Sequence, residues 1–236
     1  MRGGNWGGAL LLAVALGCGG EEPMAEEHHE SAATSGHEEP RPDNGGVEVE
    51  GLMGTISQMA VQQGIEPRMG RFLRCFTHRY DEVEVLGGHF EMAFRIDREG
   101  NVKWVYPRAS TIGDRPTERC LLETAAGIRF SRPQGGEAEF GYPLDLDPPE
   151  DVRPPTYWDP SRVQDAVDRQ ASAVQRCGGS GFAVTVYVEP GGRVIAAGAA
   201  SRDQSSPEDL DCVADVAMGF EMPDPGSYPA KVSFEL

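Results

Sequence analysis

The side chains with most chemistry to offer are five cysteines and five histidines. Cys75, Cys120, Cys177 and Cys212 fall two to each half of the chain, and Cys18 stands apart near its start. A zinc site built from four cysteines needs close pairs such as CxxC, and none occurs. A thiolate nucleophile needs a base beside it, yet these cysteines recur in equivalent places that share none. Structural bridging is what remains. His28, His29 and His37 sit among glutamates, and imidazole with carboxylate is a ligand set for a divalent metal. Their segment has no rigid frame, so it reads first as a solvated acidic linker and second as a metal-binding tail. His78 and His89, with Asp81 or Asp97, would be the acid–base set of an enzyme, but each occurs in one half only, at a helix end or in a loop. The expectation is a protein without catalytic residues, cofactor or metal.

The elements carrying the cysteines repeat. CLLETAAGIRFSRPQGG, from Cys120, returns 92 positions later as CVADVAMGFEMPDPGSY, from Cys212. At that offset residues 90–144 align without a gap: Phe90 meets Phe182, Gly100 meets Gly192, Gly127 meets Gly219 and Pro133 meets Pro225. A period near 90 residues is a domain duplication, since solenoid repeats are much shorter. Each copy reads helix, strand, strand, helix, strand. Val163, Val167, Gln170, Val174 and Cys177 lie at helical spacing, with Asp159 or Ser161 to cap them. Their counterparts are Met69, Phe72, Leu73 and Phe76, read as a buried stripe behind Pro67, and GTISQMAVQQG upstream adds a further helical piece. Phe90, Met92, Phe94 and Ile96 alternate as a half-buried strand does, and Glu99-Gly100 or Gly191-Gly192 supplies the hairpin turn. Pro116 and Pro207 open the second helices, and Gly127 and Gly219 close them as C′ glycines.

The fold class expected is therefore α+β: two tandem small domains, each a three-stranded antiparallel sheet with two helices on one face. Helices on one face bring a cysteine late in the first near a cysteine early in the second. This predicts disulfides Cys75–Cys120 and Cys177–Cys212, each closing a loop of 45 or 35 residues and stabilising by roughly 4 kcal/mol at most.

A net charge of −17 opposes nucleic-acid binding, which needs an excess of Lys and Arg. The chain opens with Arg2, the apolar run Ala9 to Leu16 and small residues around Cys18, which is the form of a signal peptide over residues 1–17. Ala15-Leu16-Gly17-Cys18 resembles a bacterial lipobox with its first two positions exchanged, and that resemblance makes Cys18 a lipidation site, with Gly19 favouring the outer membrane. Residues 18–46 hold eight acids against Arg41 and almost no large apolar side chain, the composition of a disordered tether. The first domain then spans 47–149, a linker 150–159, and a second, degenerate domain 160–236. Between Cys75 and its hairpin the first copy carries ten extra residues, including the acidic loop 80–88, which reads first as a surface insertion tolerated at little energetic cost and second as a candidate contact loop. Arg68, Arg71, Arg74 and Arg79 ride on the same helix as Cys75 and read as a solvated face, with docking of an acidic partner as the alternative.

A helix ending in RC, the strand FRIDREGNV, the helix ERCLLETAAGIRF and a following proline together resemble TonB C-terminal-like domains, in particular the AgmX/PglI branch of myxobacterial envelope proteins. The match covers residues 51–146, and 160–236 more weakly. The resemblance implies a periplasmic protein-binding module, one that takes a partner's peptide along a strand edge. The edge expected is the last strand of the first copy, residues 137–144. There Phe140 and Tyr142 provide a buried face, Glu137 and Glu139 alternate with them, and Pro143 limits the pairing. The partner is then another envelope protein. A short tether and a removable signal do not suit an energy transducer.

Overall fold

The computed structural model describes residues 53–178 and 181–236, so the signal, Cys18 and the tether lie outside it. Residues 48–236 form one compact unit. Helices α1 (Gln58–Ile65) and α2 (Met69–Thr77) are joined by a 3-10 turn at Glu66–Arg68 containing Pro67. Strands β1 (Gly88–Ile96) and β2 (Val102–Ser110), helix α3 (Arg115–Ala126) and strand β3 (Ala138–Leu146) follow. After β4 (Thr156–Tyr157) the series runs α4 (Gln164–Val174), β5 (Phe182–Val188), β6 (Val194–Ser201), α5 (Pro207–Met218) and β7 (Ala230–Glu235). The first sheet is antiparallel in the order β2-β1-β3; the second has the order β4-β7-β5-β6, with β4 parallel to β7 and the rest antiparallel. Helices α3 and α5, strands β2 and β6, and strands β3 and β7 each begin 92 residues apart. The chain is α+β with two sheets, the second carrying one short strand more than the pattern predicts.

Local chemistry explains these elements. Asp114 caps α3, its carboxylate accepting from the Thr117 amide at 3.1 Å, and Ser206 does the same for α5 through Asp209. The β1–β2 turn is held by Asp97, which accepts from the amides of Glu99 and Asn101 at 2.9 and 2.8 Å. Gly100 and Gly192 sit at φ +86° and +84°, and a Cβ on either would overlap the carbonyl of Phe130 or Met222. The Phe130 and Met222 amides donate to the Gly100 and Gly192 carbonyls, so each hairpin tip is tied to the chain leaving its second helix. Only glycine satisfies both demands.

Phe90, Met92, Phe94 and Ile96 are buried beneath Phe72, Phe76 and Leu121, while Phe182, Val184, Val186 and Val188 are buried with Val163, Val167 and Val213. The sulfurs of Cys75 and Cys120 are bonded, as are those of Cys177 and Cys212, with Cα separations of 5.6 and 5.4 Å. Each bridge staples helix to helix inside one half.

Three local readings of the sequence need correction. Leu73 is half exposed, because the buried stripe of α2 turns through Phe72, Cys75 and Phe76 instead. Gly127 and Gly219 end their helices at φ −84° and −89°, so neither occupies the left-handed region of a C′ glycine. Residues 150–159 are more than a connector: they contain β4 and the buried Trp158, whose amide donates to the Lys231 carbonyl at 2.9 Å.

Candidate partner-binding edge and the junction behind it

Strand β3 pairs with β1 along its whole length, from Ala138 opposite Ile96 to Leu146 opposite Gly88. Among the described residues, its other side meets the chain at its ends alone: the Gly54 amide donates to the Glu137 carbonyl and the Tyr80 hydroxyl to the Asp147 carbonyl. Both acceptors are odd-numbered. Since backbone groups alternate in direction along an antiparallel strand, Glu139 and Gly141 also turn their N–H and C=O outward, and Pro143 offers only its carbonyl.

The side chains divide by parity as well. Phe140 lies on the helix side, stacked on Phe94 at 5.0 Å and edge-on to Phe130 at 5.1 Å, with Tyr142 also against the core. Glu137 and Glu139 lie on the outer face. Arg95 bonds both, at 2.6 and 3.3 Å, and Lys103 reaches Glu137 at 2.8 Å. Lys103, then Arg95, hold the Glu137 carboxyl below its ordinary range. Trp104 and Tyr106 are half-buried on the neighbouring strand, 5.4 Å apart, and Arg108 pairs with Glu91 at 3.1 Å. Among the described residues the first sheet thus presents a polar-aromatic outer face beside a backbone edge that no strand covers from Ala138 onward.

The second sheet presents neither. Thr156 donates to Pro229 and Trp158 to Lys231, so β4 occupies the β7 edge. Its outer face is covered by the first half: β2 packs against β6, and Tyr187 and Ala196 enter the first half's core. The Tyr187 hydroxyl donates to the Gly87 carbonyl at 2.8 Å and accepts from the Gly87 amide at 3.1 Å, and Lys231 Nζ donates to the same carbonyl. Loop 80–88, a candidate for outside contact in the sequence, is therefore a docking loop for the chain's own second half, with Val83, Val85 and Leu86 buried.

Glu118 on α3 completes this junction. Fully buried, it accepts from Ser110 Oγ at 2.6 Å and from the Ala199 amide at 3.1 Å, supplying an acceptor to the outer edge of β6. Gly198 makes room, since a Cβ there would overlap the Glu118 carboxyl. Burial pushes the Glu118 carboxyl up to about 7, against the opposing pull of Ser110 and Arg115, and burial draws Lys231 down to about 8. Burial also raises the Tyr187 hydroxyl. Arg115 reaches across to Asp211 at 2.7 Å, and Arg119 joins the same carboxylate. Of the arginines read from the sequence, Arg79 grips Asp114 with two nitrogens, Nε and Nη2, each at 3.0 Å, and Arg68 reaches the Gly127 carbonyl; Arg71 and Arg74 are exposed.

Of the residues considered for catalysis, His89 and Asp97 stand apart. His89 pairs with Asp145 at 2.9 Å at one end of β1, whereas Asp97 organises the turn at the other, about 25 Å away at the rise of an extended strand. No group of three or more metal-ligating side chains occurs among the described residues, and none of the helices there is long and apolar enough to cross a membrane. His28, His29, His37 and Cys18 lie outside the described residues. No family model, curated protein or solved structure matches the chain.

Glu118, Tyr187 and Lys231 were not singled out by sequence pattern. A signal for them existed in Ala196-Ala197-Gly198-Ala199-Ala200, a run of small residues on both faces of one strand, which is what a strand covered on both faces requires.

Proposed function

We propose that this chain is a non-enzymatic, lipid-anchored protein of the cell envelope that binds an extended segment of another envelope protein along β3. In this reading it consists of two tandem TonB C-terminal-like domains of the AgmX/PglI kind. The first captures the partner by strand addition and the second, a degenerate copy, braces it. The observation that carries the proposal is the contrast between the edges: β3 offers outward backbone groups at Glu139 and Gly141, while β7 is strapped by β4. Unpaired strand edges recruit peptides through main-chain hydrogen bonds, with no need for a reactive side chain. Two disulfides fit an oxidising, extracytoplasmic compartment. Anchoring would run through Cys18, on the periplasmic face of the outer membrane.

The test is Glu139→Pro, which removes an outward N–H and none of those bonded to β1. Crosslinking and affinity purification from envelope fractions should lose the captured protein with this variant while its fold, read by circular dichroism, persists. Normal capture by a folded Glu139→Pro protein counts against the edge. Anchoring is checked separately by labelling with a fatty-acid analogue, expected to vanish in Cys18→Ser.

A further inference from the structure

The two copies diverge sharply at a pair of equivalent positions. Strands β2 and β6 keep one register: Trp104 lies opposite Arg95 and Tyr106 opposite Ala93, as Ala196 lies opposite Tyr187 and Gly198 opposite Thr185. Ala196 and Gly198 are small because the first half packs over them, with the Glu118 carboxyl against Gly198. Trp104 and Tyr106 have no such cover and stay half-exposed, so burial in the core does not account for two large aromatic side chains there. They form the lip of an open cleft of about 500 Å³ between β2, the last turns of α3 and the residues entering α5. Val105, Leu122 and Leu210 supply its apolar lining, Gln204 and Ser205 its polar one. Both halves contribute, so the cleft continues their junction out to the surface, and the Tyr106 hydroxyl ties the lip to the second half by donating to the Arg202 carbonyl at 3.4 Å.

We propose that this cleft binds an uncharged, proline-rich segment of another protein in the polyproline II conformation. Charge is the first argument. Among the described residues Lys103 is the one charged side chain lining the cleft, and it is paired with Glu137 at 2.8 Å, so a chain of net charge −17 presents no free charge here. Shape is the second. The Trp104 and Tyr106 rings lie 5.4 Å apart with their planes at 43°, a notch between aromatic walls, and aromatic-lined grooves are what polyproline II segments dock into. Val102 to Pro107 is five steps along β2, about 17 Å, which such a segment spans in about five or six residues. Its backbone makes no internal hydrogen bonds, leaving carbonyls for the Trp104 indole and the Gln204 and Ser205 side chains to donate to. Strand addition is not what β2 offers: its register with β1 skips Lys103 and Arg108, and Pro107 is buried and has no N–H, so the ladder is broken on both sides of the aromatic pair. The cleft is separate from the β3 edge and does not rest on the partner reading above.

Titrating the full mature chain with decaproline, followed by heteronuclear NMR, tests the assignment. The Trp104 indole signal and the Val105 and Ser205 amides should shift saturably, while the indole of Trp158, buried beside β4, stays in place and reports that the chain is folded. Trp104→Ala and Tyr106→Ala should each weaken binding by about tenfold or more, and Trp104→Phe, which keeps an aromatic wall, by less. Absence of any shift at about 5 mM decaproline, where a millimolar site is mostly filled, overturns the proposal. Unchanged affinity in both folded alanine variants overturns it too, as does equal binding of a Gly-Ser decapeptide. Shifts with maltohexaose and none with decaproline also overturn it and give the cleft to a saccharide. The two readings fail separately: capture by Glu139→Pro decides the β3 edge, and decaproline decides the cleft.

Discussion

The two sheets share an order of elements and end in opposite circumstances. In the first, one face is buried under α1, α2 and α3, the other carries Trp104, Tyr106 and a lattice of Arg–Glu pairs, and among the described residues β3 has no strand beside it from Ala138 onward. In the second, helices cover one face, the first half covers the other, and β4 straps β7. A repeated unit kept for binding needs a free edge, whereas one kept as a brace needs covered surfaces. Small residues on β6 and a carboxylate inserted at its edge belong to the second kind. The acidic insertion at 80–88, which the second half lacks, is what lets the first half reach its companion.

The largest effect that would break this comparison concerns the bridges. Removing either disulfide by paired Cys→Ala substitution should cost about 4 kcal/mol, and because the halves share a junction the loss should appear in one common unfolding transition. Calorimetry showing two transitions, only one of them shifted, would separate the halves energetically. Next is the strap. Trp158 is buried, with the Arg162 guanidinium 4.2 Å above its ring, so Trp158→Ala should cost about 3 kcal/mol. Glu66, 92 residues earlier, is exposed, and Glu66→Ala should be close to neutral in chemical denaturation.

The junction predicts a pH profile for stability. Folded Glu118 keeps its proton to about pH 7, whereas the unfolded chain releases it near 4.5. The folded state therefore binds more protons in that window, and stability falls as pH rises through it, by roughly 2–3 kcal/mol. Lys231 has the opposite sign: it loses its proton at about 8 when folded and 10.5 when unfolded, so stability rises with pH across that interval. Denaturation midpoints in Glu118→Gln should lose the fall, and in Lys231→Met the rise. The smallest effect compares the helix ends. Gly127 and Gly219 are not left-handed, and a Cβ would meet nothing nearer than 3.7 and 3.4 Å, so alanine at either should stabilise by about 0.5 kcal/mol.

Much of this architecture was legible because local chemistry and tertiary structure agree. The 92-residue offset, the alternation of Phe90 to Ile96, Pro116 with Gly127 and the cysteine positions all report short-range constraints. What was hidden is the packing of one half on the other. Glu118 sits mid-helix among Arg115, Arg119 and Glu123, and Lys231 alternates with Ala230 and Val232, both patterns that ordinarily mark solvent. Their burial depends on where loop 80–88 and β6 lie, a relation between distant segments that periodicity does not encode. Loop 80–88 reads as a surface insertion for the same reason, whereas its Val83, Val85 and Leu86 are buried and its Gly87 is bonded to Tyr187 of the second half. On the edge, the alternation of Glu139, Phe140 and Tyr142 gave the faces, but the direction of the outward groups comes from the Gly54–Glu137 and Tyr80–Asp147 bonds.

The central claim is that the first edge binds and the second does not, and a site-specific photocrosslinker tests it most directly. Placed at Glu139 on the open edge and, separately, at Tyr157 on the strap, in chains expressed in their own cells, it should join an envelope protein at position 139 and leave position 157 without adducts. Adducts at 157 with none at 139, or the same adduct at both, would contradict the account.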